Sequence, residues 1–74
     1  MTTDEIIRSA IADASKRPLA SITTASRLAE DLGLRSLGRI ELAVMLERRL
    51  GKAVRDDQVM TAVTVADLER MLGA

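Results

Sequence analysis

The chain has 74 residues, which is enough for one folded domain spanning residues 1–74, because two units would each need most of that length. It contains no Cys and no His, so disulfides, Cys/His metal sites and Cys/His nucleophile–base pairs are excluded. It also lacks Phe, Tyr and Trp. The core must therefore be built from aliphatic side chains and Met, and we do not expect an enzyme.

The charge is balanced, with 11 Lys+Arg against 11 Asp+Glu, so the composition does not favour nucleic acid as a partner. No apolar run approaches the about 20 residues of a membrane span. The start, Met1-Thr2-Thr3-Asp4-Glu5, lacks the basic and apolar regions of a signal peptide. We expect a cytoplasmic protein without a membrane span.

A first helix is predicted over residues 3–15. Thr2 and Glu5 have the spacing of a capping box, and apolar residues from Ile6 to Ala14 recur at helical spacing. Pro18 disfavours continuation of this helix. Residues 16–35 are too apolar for a bare linker, so we expect a long ordered loop with one helical turn at 26–30.

A second helix is predicted from Ser36 through Leu50, with Ser36 as N-cap and Gly51 as the C-terminal stop. At roughly 100° per residue its apolar residues form two faces. The first comprises Leu42, Leu46 and Leu50, and the opposite one comprises Leu37, Ile40 and Val44. The second face is either a further part of the core or a place where another molecule binds.

Two further helices complete the pattern. Residues 56–60 suit a helix of one or two turns, and Thr64 with Asp67 three residues later caps a final helix that ends at Gly73. Val63 and Leu68 have the spacing of a hydrophobic staple, and Leu68, Met71 and Leu72 are expected to face inward. The fold class is therefore all-α: a small four-helix bundle of three long helices and one short helix.

The segment Asp31-Leu32-Gly33-Leu34-Arg35-Ser36-Leu37, followed by Ile40-Glu41-Leu42, resembles the Leu-Gly-x-Asp-Ser-Leu signature of acyl carrier proteins. The resemblance covers nearly the whole chain. It implies that Ser36 bears a covalent phosphopantetheine arm, which a separate phosphopantetheinyl transferase attaches from coenzyme A. The thiol of that arm would carry an acyl group as a thioester.

Elementary electrostatics is compatible with this role for Ser36. The start of a helix presents unpaired N–H groups and the positive end of the helix dipole, which favour an attached phosphodiester. Gly38, in the first turn, would leave room beside Ser36 for an enzyme or for the arm. The alternative is that Ser36 only caps a helix.

Arg35 departs from the signature, because the resemblance implies an Asp before the modified Ser. In the family that Asp is part of what the transferase and its magnesium recognise. Three interpretations remain open: a carrier with an adapted transferase, a homologue that is not modified, or an altered sequence. We favour retained function, because Arg35 could pair with the attached phosphodiester.

The second helix also departs from the acidic character that the resemblance implies. Arg35, Arg39, Arg48 and Arg49 outnumber Glu41 and Glu47 by two. Either these charges are simply solvated, or they select a dedicated partner with an acidic patch. The predicted partner surface consists of six residues: Arg35, Leu37, Arg39, Ile40, Val44 and Arg48.

The sequence thus predicts a monomeric carrier for a dedicated pathway, such as fatty acid or polyketide biosynthesis. Its partners would be the transferase, an acyl-loading enzyme such as an adenylating ligase, and downstream acyl-processing enzymes. The resemblance implies an acyl or aminoacyl cargo. The alternative function is an unmodified protein-interaction module, in which Leu37, Ile40 and Val44 form the binding face.

Overall fold

The computed structural model describes residues 2–73 and is built from helices packed around one core. In chain order these are α1 (Thr3–Ser15), a 3₁₀ turn (Leu19–Ser21), α2 (Ser36–Leu50), α3 (Asp56–Thr61) and α4 (Val65–Leu72). No β-strand forms within residues 2–73, where Arg27 and Thr64 make an isolated bridge. The all-α four-helix prediction is confirmed. Met1 and Ala74, which belong to the predicted domain span, lie outside the described residues.

Helix α1 has the predicted bounds, and its start is the predicted capping box. The Glu5 N–H donates to Thr2 Oγ1 at 3.1 Å, and the Thr2 N–H donates to Glu5 Oε1 at 3.0 Å. At the other end Lys16 adopts a left-handed conformation with φ 58°, which closes the helix two residues before Pro18. Ile7 and Ile11 are fully buried and anchor the helix to the core.

Helix α2 lies against α1 and also has the predicted bounds. Leu42 and Leu46 are fully buried, and Gly51 ends the helix in the left-handed conformation with φ 68° that favours glycine. Near this end Arg49 Nη2 lies 2.6 Å from Asp13 Oδ2, which links α2 to α1.

The loop between α1 and α2 is ordered by backbone hydrogen bonds to the segment that enters α4. The Val65 N–H donates to the Ser26 carbonyl and the Ala66 N–H to the Thr24 carbonyl, each at 3.0 Å, so loop carbonyls satisfy the first N–H groups of α4. The Leu28 N–H donates in return to the carbonyl of residue 63 at 2.9 Å. These bonds hold residues 22–35 of the loop in place, where neither a helix nor a strand forms.

The local turns of the loop differ in part from the prediction. The expected helical turn at 26–30 is displaced toward α2, where the Asp31 N–H donates to the Arg27 carbonyl and the Gly33 N–H to the Ala29 carbonyl. The 3₁₀ turn after Pro18 was not predicted, because three residues are too few to produce a periodic pattern.

The last two helices confirm the predicted capping, but two side chains differ from expectation. The Asp67 N–H donates to Thr64 Oγ1 at 3.2 Å, as the capping motif requires. Leu68 is fully buried, whereas Val63 is 55% exposed and cannot act as a well-packed staple against it. Met71 is 38% exposed, so the prediction that it faces inward is wrong.

One aliphatic core joins the four helices and the loop. No helix within residues 2–73 combines the length and apolar character needed to cross a membrane. The largest fully buried side chains are Ile7, Ile11, Leu28, Leu42, Leu46, Val59, Val65 and Leu68.

Candidate functional site

Ser36 is the first residue of α2, one position later in the helix than the sequence predicted. The N-cap is Arg35, whose backbone is extended (φ −100°, ψ −165°) and whose carbonyl accepts the Arg39 N–H at 2.8 Å. Arg35 makes no side-chain capping bond. The N-cap prediction for Ser36 is therefore wrong, because Arg35 keeps the extended conformation that an N-cap adopts.

Because Ser36 does not cap α2, its hydroxyl is available for other contacts. Of the five serines in the sequence, the other four have hydroxyls that hydrogen-bond to a side chain or a carbonyl. Ser36 is exposed, and its Oγ makes no hydrogen bond to any other residue within 2–73. It is therefore the serine best placed to react with an incoming group.

Ser36 borders an open cavity of about 220 Å³ between the start of α2, the loop and α3. The lining residues are Ala29, Leu34, Arg35, Ser36, Arg39 and Met60. A Cβ placed on Gly38 would lie 3.2 Å from Leu34 Cδ2, so Gly38 makes room for the buried Leu34 side chain. That Gly38 also leaves space for an enzyme or for the arm stays a prediction.

Arg39 lines the same cavity, and its guanidinium is held by backbone carbonyls. Its Nε donates to the Leu34 carbonyl at 2.9 Å. Its Nη1 lies 3.1 Å from the Val59 carbonyl oxygen, 3.0 Å from that of Met60 and 2.7 Å from that of Ala62. Burial lowers the pKa of Arg39, and the negative charge of Glu30 opposes that shift.

The predicted partner surface is thereby corrected at Arg39, which is half-buried rather than exposed. Its charge was part of the predicted basic excess, but its contacts with backbone carbonyls were not predicted. One signal was available: at 100° per residue, position 39 lies on the same side of α2 as Leu42 and Leu46.

The second apolar face of α2 is exposed, which decides between the two possibilities left open by its sequence pattern. Leu37 is 72% exposed, Ile40 46% and Val44 47%. This face is not part of the core. The structure therefore places Ser36 and an accessible apolar surface on the same helix. Exposed apolar patches often mark binding sites.

The charges around that face are balanced rather than basic. Arg49 is exposed but paired with Asp13, which leaves Arg35 and Arg48 as the exposed arginines of α2 and its N-cap that form no ion pair within residues 2–73. Glu41 and Glu47 are exposed on the same helix. The excess of two positive charges predicted from sequence is therefore absent from the outward surface of α2.

Comparison with known proteins identifies the family of this chain. Residues 5–72 match the family described as the phosphopantetheine attachment site. The chain belongs to this family of carrier proteins. It is 36% identical over 58 residues to an acyl carrier protein of Rickettsia bellii, a match that covers 78% of this chain and 67% of the relative. It is also 36% identical over 56 residues to the acyl carrier protein MbtL of Mycobacterium bovis and of Mycobacterium tuberculosis, covering 76% of this chain and 67% of each relative.

As a member of the family, this acyl carrier protein is a carrier rather than a catalyst, and its cofactor is covalently attached phosphopantetheine. Proteins of this type interact with a phosphopantetheinyl transferase and with acyl-processing enzymes. The residues present fit such a group. Ser36 offers an exposed, unbonded hydroxyl, and the first-turn N–H groups beside it have no intrahelical acceptor.

Proposed function

We propose that this acyl carrier protein holds its phosphopantetheine on Ser36. The observation that carries the proposal is the state of the hydroxyl, which is exposed and unbonded at the start of α2, whereas the other serines have hydrogen-bonded hydroxyls. The position also suits the phosphodiester of the arm, because the N-terminal turn of a helix stabilises negative charge.

The attachment step balances as a transfer from coenzyme A. A bond forms between Ser36 Oγ and the phosphorus next to the pantetheine, the pyrophosphate bond breaks, and adenosine bisphosphate leaves. The hydroxyl proton goes to a base of the transferase. When attached, the group supplies a thiol that holds an acyl chain as a thioester. The chain itself contains no Cys, so no side chain competes for the acyl group.

Intact mass spectrometry tests the assignment. The purified protein is incubated with coenzyme A and a broad-specificity phosphopantetheinyl transferase, and we expect a gain of one phosphopantetheinyl group and of one titratable thiol. Ser36→Ala should gain neither. Ser21→Ala is the matched control, since Ser21 is also exposed but donates to the Pro18 carbonyl at 2.7 Å.

The outcomes of this experiment separate the candidate functions. Modification that persists in Ser36→Ala, or that maps to another residue, would refute the assignment. A protein that stays unmodified with every transferase tried would favour the unmodified interaction module that uses the Leu37, Ile40 and Val44 face.

We further propose that the cargo is an acyl or aminoacyl group loaded by an adenylating ligase of a dedicated pathway. The names of the relatives support an acyl cargo. The balanced charge of α2 supports a dedicated partner, because an enzyme that selects acidic carriers by a basic patch would gain little from this surface. The proposed contact surface keeps Arg35, Leu37, Ile40, Val44 and Arg48.

Loading assays distinguish the cargo classes. The modified protein is incubated with ATP and either a fatty-acyl or an aminoacyl adenylating ligase, and the thioester is identified by intact mass and by its release with hydroxylamine. We expect loading by one of the two ligases. Loading only from acyl-coenzyme A, without ATP, would contradict the role of an adenylating ligase.

A further inference from the structure

Helix α3 has six residues, and its C-terminal end depends on a side chain from α2. The last carbonyls of a helix have no partner within the helix. In α3 the Val59 and Met60 carbonyls, and the carbonyl of Ala62 just beyond, are all bound by Arg39 Nη1. No backbone N–H within residues 2–73 donates to these three carbonyls. Arg39 therefore caps α3 from a neighbouring helix.

The same guanidinium also binds the segment that leads into Ser36. Arg39 Nε donates at 2.9 Å to the carbonyl of Leu34, two residues before Ser36. The planar fork of an arginine can serve acceptors on two sides at once. One side chain thus connects α3, α2 and the end of the loop around the cavity where Ser36 and Met60 both lie.

We propose that Arg39 is a positioning residue for the modification of Ser36, because it holds α3 in the place where the transferase meets the carrier. The proposal rests on the assignment of Ser36 as the attachment site. An enzyme that reaches Ser36 enters the cavity that α3 walls with Met60. Without its cap, α3 occupies the docked position for only part of the time.

Partial docking weakens apparent affinity in proportion to the population of the competent state. If α3 is docked about one tenth of the time in Arg39→Met, the KM of the transferase for the carrier rises about tenfold. The kcat stays close to that of the parent protein, since Ser36 belongs to α2, whose first backbone bond from the Arg39 N–H to the Arg35 carbonyl does not need the side chain.

The experiment combines hydrogen exchange of the unmodified carrier with transferase kinetics on the same variants. In Arg39→Met we expect the amides of Met60 and Thr61 to lose protection while those of Leu42 and Leu46 keep it, and the loss should match the rise in KM. Arg39→Lys keeps the charge but has a single nitrogen, which cannot bind the Leu34 and α3 carbonyls together. We expect it to behave like Arg39→Met.

Arg49→Met is the matched control, because it removes one arginine from the same helix and breaks the link to Asp13 far from Ser36. It should leave KM unchanged. Normal KM in Arg39→Lys would show that charge alone matters and would overturn the proposal, as would loss of α3 protection without a change in KM. If Arg39→Met does not fold, Arg39→Lys provides the same comparison. Mass mapping to a residue other than Ser36 would instead refute the proposed function.

Discussion

Arg35 occupies the N-cap of α2 without using its side chain as a cap, next to the serine proposed to be modified. Asp or Asn at an N-cap typically stabilises a helix by about 1 kcal/mol, because the side-chain oxygen accepts a first-turn N–H. We therefore expect Arg35→Asp and Arg35→Asn to raise the free energy of unfolding by similar amounts, measured by urea denaturation.

The two substitutions differ in charge, which separates capping from recognition. We expect a broad-specificity transferase to modify Arg35→Asp faster than the parent protein at low salt, and Arg35→Asn to show less of this gain, because only Asp restores the negative charge that the family signature carries. Equal rates for all three proteins would mean that charge at position 35 does not control modification.

The contacts of Arg39 could not be predicted from the sequence. The residues around Ser36 indicated the correct family and the helix that begins at Ser36. They could not show that an arginine three positions later binds the carbonyls of Leu34, Val59, Met60 and Ala62, because those contacts span up to 23 residues and depend on how α3 packs. Periodicity places Arg39 on the inward side of α2, but it does not identify the acceptors.

At the scale of elements, the start of α4 depends on Asp67. Its carboxylate accepts the Val63 N–H at 2.9 Å and the Thr64 N–H at 3.1 Å, and Arg70 Nη2 lies 2.6 Å away. The hydrogen bond from Arg70, followed by those from the two backbone N–H groups, lowers the pKa of Asp67 from an ordinary 3.8 to about 2.

A lowered carboxyl pKa makes stability depend on pH with a defined sign. The contribution of Asp67 is fully present above pH 3.8 and is lost as the pH falls toward 2. Asp67→Asn should therefore show a smaller loss of unfolding free energy between pH 5 and about pH 2 than the parent protein, measured by urea denaturation. Asp56→Asn, which removes an exposed carboxylate at the start of α3, is the control. Parallel pH profiles for the parent and Asp67→Asn would contradict this account.

Helix boundaries were predictable where capping chemistry is local. Thr2 with Glu5, Thr64 with Asp67, and Gly51 each act within a few residues, and the structure confirms all three. The bounds of α2 were predicted correctly, but its N-cap was placed one residue too late, at Ser36 instead of Arg35, because the extended backbone of Arg35 leaves no trace in the sequence. The loop is held by backbone hydrogen bonds between residues far apart in the sequence, such as the bond from the Val65 N–H to the Ser26 carbonyl. Local sequence patterns do not predict such bonds.

At the scale of the whole molecule, the leucines of α2 are divided between the core and the exposed face of the helix. Leu46 is fully buried and Leu37 is 72% exposed, although both are leucines of one helix. The core has no aromatic residue, and a domain of this length has a total stability of roughly 4–11 kcal/mol at the usual value per residue. A single core leucine is therefore a large share of what holds the molecule together.

This division predicts opposite outcomes for the same substitution at two positions. Leu46→Ala should lower the free energy of unfolding by about 2–5 kcal/mol, because it leaves a cavity in the core. Leu37→Ala should change it by no more than about 0.5 kcal/mol. If enzymes dock on the outward face, Leu37→Ala should also raise the KM of the loading ligase about tenfold, which corresponds to about 1.4 kcal/mol of lost apolar contact. Urea denaturation and loading kinetics at a temperature where both variants are folded measure the two effects. Unchanged loading of Leu37→Ala would place the contact with the ligase elsewhere on the surface, while equal destabilisation by both variants would contradict the two-faced description of α2.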